Sequence, residues 1–122
     1  NIYYFGFKAI KKAIKKRNKT KGIVELNKFQ EKAKDKIKIF LKNFNIKYQD
    51  FKKNIEKDEI VLESGMEING KYFGITIYED AISLAAEKDE DAFIVELIDY
   101  DSQNKLIEDF CNKAKKIFEK YL

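Results

Sequence analysis

Asn69-Gly70 sits between two runs with strand-like composition, Glu59 to Ile68 and Lys71 to Tyr78. A two-residue type I′ turn needs positive φ at both positions, which asparagine tolerates and glycine adopts without steric penalty. The dipeptide therefore predicts a β-hairpin, and with it an antiparallel sheet. Every other segment must pack around that hairpin.

Upstream, Asn27 followed three residues later by Gln30 has the spacing of a capping box. The stripe Leu26, Phe29, Ala33, Ile37, Phe40, Leu41 and Phe44 then predicts a helix with one face in a core. Between about Tyr3 and Lys19, Tyr3, Phe7, Ile10 and Ile14 mark one face of an earlier amphipathic helix, flanked by Ala9 and Ala13. Its first turn is weakened by Gly6. Residues 46–55 keep both helical and alternating spacing and stay unassigned.

Downstream, Glu79-Asp80 predict the start of a short helix through about Glu87, on the rule that negative charge favours a helix N-terminus. Ala92 to Tyr100 is β-prone and reads as an inner strand. Asp101-Ser102 cap a last helix whose inner side carries Leu106, Phe110, Cys111, Ala114, Ile117, Phe118 and Tyr121. The expected fold is α+β: a small antiparallel sheet of three to four strands, with three to four helices packed on one face. At 122 residues one domain is expected over 1–122, with residues 1–21 as a basic, semi-independent arm.

The chain has no histidine and one cysteine. That removes Ser-His-Asp and Cys-His catalysis and the usual zinc ligand sets. The spacing of the glycines makes no phosphate-binding loop. Asp50-Phe51-Lys52 is the only acid-x-lysine triplet placed like that of a metal-dependent nuclease, and no earlier acid on a strand makes a convincing partner for it. The expectation is a non-enzymatic interaction protein with no cofactor or metal. A lone cysteine, no apolar run of spanning length and no leader peptide predict a cytoplasmic protein. Membrane contact is expected only if Ile2 to Phe7, followed at once by lysines, continues an earlier span.

Charge is distributed unevenly. Residues 1–57 hold 18 basic and 5 acidic side chains, and residues 58–122 hold 7 basic and 16 acidic. Two partner classes follow. Lys8, Lys11, Lys12, Lys15, Lys16, Arg17 and Lys19 could neutralise nucleic-acid phosphates, without sequence preference because arginine is nearly absent. Alternatively, Glu87, Asp89, Glu90, Asp91, Asp99 and Asp101 could face a basic protein, as an inhibitor or immunity protein does, with Tyr78 or Tyr100 as exposed anchors. Oppositely charged halves also allow head-to-tail association of copies. The bland alternative is that the charges only solubilise the chain.

Overall fold

In the computed structural model, which describes residues 25–122, Asn69 and Gly70 have φ of 47° and 86°. They join β2 (Glu59–Ile68) to β3 (Lys71–Ile77) as the dipeptide predicts, in a register running from Leu62 opposite Ile77 to Ile68 opposite Lys71.

The segment after this hairpin is not a helix. Ala81–Ala86 forms strand β4, and Glu79-Asp80 is a turn closed by Tyr78 N–H donating to the Ala81 carbonyl at 2.8 Å. Local preference misleads here because alanine favours helices, whereas β4 has a strand on either side and is buried along its whole length. In such a place packing overrides intrinsic propensity. The strand expected over residues 92–100 is also shorter. β5 (Phe93–Glu96) ends where the chain enters a 3₁₀ turn at Leu97–Asp99.

The unassigned segment supplies β1 (Lys52–Glu56), which pairs antiparallel with β2, and a single bridge between Tyr48 and Met66. Lys57 and Asp58, with φ of 51° and 70°, make a second tight turn from residues that do not advertise one. The sheet thus has five strands in the order β1-β2-β3-β4-β5, not three or four. The described residues contain two α-helices, α1 (Lys28–Asn43) and α2 (Gln103–Glu119), fewer than the three to four expected. The basic helix expected over residues 3–19 lies outside the described residues.

Both helices lie on one face of the sheet. Phe29, Ala33, Ile37 and Leu41 of α1 and Leu106, Phe110, Ala114 and Phe118 of α2 pack against Leu62, Met66, Phe73, Ile75, Ile77, Ile82, Leu84 and Val95. Phe118 meets Phe73 edge-on at 5.2 Å between ring centroids and stacks on Phe40. Among the described residues no helix is long and apolar enough to cross a membrane.

One amide fixes α1 to the sheet. Gln30 N–H donates to the Asn27 side chain and Gln30 Oε1 accepts from Asn27 N–H, completing the predicted capping box. Gln30 Nε2 then donates to the carbonyls of Ile60 at 2.7 Å and Ile77 at 3.3 Å, where the β2–β3 ladder has ended. Asn27 Nδ2 reaches the Glu79 carbonyl at 3.0 Å. Because Gln30 is only 1% exposed, its loss would strand buried carbonyls. Gln30→Ala should lower unfolding free energy by about 3 kcal/mol in urea titration. Asp58→Gly, which relieves a left-handed non-glycine residue, should raise it by about 1 kcal/mol.

Candidate functional site

The antiparallel meander brings three turns to the same end of the sheet: 57–58, 79–80 and 97–99. Leu97 N–H donates to the Asp80 carbonyl at 2.8 Å, tying the last of them to the second. Glu56, Asp58, Glu59, Asp80, Glu96 and Asp99 are thereby concentrated at one end, from three separate stretches of sequence.

The 97–99 turn is held at both sides. Tyr100 N–H donates to the Leu97 carbonyl, the Tyr100 hydroxyl donates to the Asp109 carboxylate, and Ser102 caps α2 by accepting from Lys105 N–H at 3.1 Å. Leu97 packs on the core, while Ile98 points outward and is 76% exposed, with Asp99 and Asp101 exposed beside it. The result is an apolar side chain on a braced turn, surrounded by negative charge.

Glu59 faces the other way and is 4% exposed. Burial pushes its carboxyl up to about 7, and the charges of Glu79, Asp80 and Glu56 push the same way against a hydrogen bond from Glu79 N–H at 2.8 Å. The Glu79 carboxyl is also raised, by burial and then by Asp80. A carboxyl titrating near 7 has the range to give or take a proton at neutral pH. Among the described residues no three His, Cys, Asp or Glu side chains are grouped to hold a metal. An open groove of about 320 Å³ between Tyr48, Gly65 and Tyr72 lies toward the opposite end.

The sequence-derived sites fare unequally. Lys8, Lys11, Lys12, Lys15, Lys16, Arg17 and Lys19 lie outside the described residues. The acidic set is split by β5: Glu87, Asp89, Glu90 and Asp91 precede the strand and lie at the Asn69-Gly70 end, whereas Asp99 and Asp101 follow it. Asp91 is a buried structural residue, accepting from the Lys120 ammonium and the Tyr121 hydroxyl. Burial pushes its carboxyl up, but those two bonds prevail and hold it below the usual range. Glu87 accepts from Tyr72 N–H at 2.8 Å and is half-buried, leaving Asp89 and Glu90 as the exposed members of the set at that end.

Neither expected tyrosine anchor is exposed. Tyr78 is buried, and Tyr100 is half-buried with its hydroxyl pushed up to about 12, first by burial and then by the bond to Asp109. Glu79 and Asp80 form a turn and cap nothing. Asp50 and Lys52 are exposed on either side of half-buried Phe51, Lys52 stands opposite Glu63 in the β1–β2 register, and among the described residues no cluster of three potential metal ligands includes Asp50. Cys111 is half-buried and its thiol is pushed up to about 11 by burial, which makes it a poor nucleophile. Ile98 escaped the sequence reading because Phe93-Ile-Val-Glu-Leu-Ile reads as continuous strand; the Asp99-Tyr-Asp-Ser that follows was the available sign that the chain leaves the sheet early.

No protein-family model, curated protein or solved structure matches this chain.

Because the folded Glu59 carboxyl keeps its proton to a higher pH than the unfolded one, its contribution is fully present below about pH 4.5 and is lost as pH rises through about 7. The loss should amount to at most roughly 3 kcal/mol. Glu59→Gln, which can still accept from Glu79 N–H, should flatten the decline between pH 4.5 and 7 and be more stable than wild type at pH 8, as read from chemical denaturation across pH.

Proposed function

We propose that this protein acts by binding and that its contact surface is the Ile98 turn with its acidic surroundings, suited to a basic protein partner. The observation that carries the reading is Ile98 itself: a large apolar side chain 76% exposed on a turn that hydrogen bonds hold at both sides. Exposed apolar residues on rigid supports contribute most of the energy in protein interfaces, because little conformational freedom is lost on association. The acids around it would speed encounter with a positive partner and disfavour a negative one. Nucleic acid is therefore a poor occupant of this surface. Phosphate binding by the seven basic side chains between Lys8 and Lys19 is the competing proposal.

NMR titration separates the two. A synthetic peptide with lysines around a leucine pair should shift the amides of residues 97–101 first, and less at high salt. Ile98→Ser should weaken that peptide by about tenfold, equivalent to about 1.4 kcal/mol. Unaltered affinity in Ile98→Ser would sink the assignment. Tight binding of a single-stranded DNA oligomer at physiological salt, with no shift at residues 97–101, would transfer the function to the basic segment.

A further inference from the structure

Ile39 is the counterpart of Ile98 in charge. It is 61% exposed in the second half of α1, two residues from Ile37 and from Leu41, both buried against the sheet. At about 100° of turn per residue, that places it on the outer surface of the helical layer. Its neighbours one turn away are Asp35, Lys36, Lys42 and Asn43, so no apolar side chain on the same face of α1 covers it. Between Lys28 and Asn43 the helix carries six lysines and two acids. Glu31 is paired with Lys34 at 3.1 Å, which leaves Asp35 as the other acid beside Lys32, Lys36, Lys38 and Lys42. Among the described residues none of those four lysines has a carboxylate within ion-pair distance.

The Ile98 turn has the opposite setting. Asp99 and Asp101 are exposed beside the isoleucine, and neither makes an ion pair among the described residues. Two other exposed apolar side chains have charges of both signs next to them, Ile55 with Lys53 and Glu56, and Tyr72 with Lys71 and Glu87. Ile39 is therefore the apolar side chain whose surroundings complement those of Ile98: apolar area would leave water at the centre, and lysine–aspartate pairs would form around it. The two surfaces cannot meet within one copy. Asn27, at the start of α1, is bonded to Glu79 at the acidic end, and Ile39 lies about 18 Å further along the helix axis. Helix α1 packs over β2 and β3, whereas the Ile98 turn follows β5 at the acidic end itself.

We propose that the partner of the Ile98 turn is a second copy of this chain, docked through the outer face of its α1, with Ile98 against Ile39 and with Asp99 and Asp101 against Lys36 and Lys42. This rests on the reading of the Ile98 turn as the contact surface. Each copy presents one surface of each kind, so the contact is between unlike surfaces and association continues past a dimer.

Sedimentation equilibrium of the full chain tests this. In low salt the weight-average mass should climb past that of a dimer as concentration rises, and high salt should return it toward the monomer. Ile39→Ser, Ile98→Ser, and Lys36→Glu with Lys42→Glu should each weaken association by about tenfold. Mixing Ile39→Ser with Ile98→Ser should restore wild-type strength but stop at one-to-one pairs, because each variant keeps one intact surface. Full-strength association in Ile39→Ser or in the lysine variant would overturn the proposal, as would a mixture that shows no rescue. A wild-type chain that stays monomeric at every concentration, while the lysine–leucine peptide still shifts residues 97–101, would reject the second copy and leave the Ile98 turn as the contact surface. If that peptide also binds Ile98→Ser undiminished, both readings fall.

Discussion

The Gln30 amide is where helix and sheet are fastened together. Its oxygen completes the cap of α1 and its nitrogen serves two strand carbonyls that the ladder no longer reaches. An amide that uses its acceptor and both donors in a buried place is worth far more than a surface bond, because each alternative arrangement leaves a desolvated polar group. The position of α1 follows from that bond set, as does the seating of Phe29, Ala33, Ile37 and Leu41 on the sheet. Asn27 extends the same junction to Glu79, so the helix start and the turn between β3 and β4 are held as one unit.

That junction also explains why so much negative charge is tolerated at one end. Burial raises Glu59 to about 7, so that this carboxyl holds its proton up to near neutrality and adds less to the repulsion there; the Glu79 carboxyl is raised as well. The acidic excess after residue 58 is not confined to one end of the sheet. The meander folds the acidic half back and forth, dividing its acids between both ends of the sheet and burying two of them, Glu59 and Asp91, the latter under Lys120 and Tyr121.

What could be read in advance was what local chemistry determines. Asn69-Gly70 and the Asn27–Gln30 and Ser102 caps act over three or four residues, and the stripes of α1 and α2 repeat often enough to identify a face. Strand β4 was illegible because Ala81-Ile-Ser-Leu-Ala-Ala owes its conformation to strands on both sides. The Lys57-Asp58 turn was hidden because lysine does not favour positive φ and aspartate only tolerates it, so the flanking pairs of β1 and β2 impose it. The burial of Asp91 depends on a C-terminal lysine and tyrosine 29 and 30 residues away, a separation that no short-range pattern encodes. Ile98 was lost for a related reason: its exposure depends on where β5 ends, and strand ends are set by neighbours more than by composition.

Strand order in this sheet is chain order, and three of its four connections are two-residue turns. Each strand can therefore pair with the one just before it at little loop-closure entropy, and the sheet can grow like a folded strip from any hairpin. The α1–α2 contact is different, since the helices flank the whole sheet in sequence and can meet only after it has closed. Such a chain should cross its folding barrier with the strands largely paired and the two helices still settling. Its lifetime in the folded state would then depend more on the helical layer than on the turns that start it.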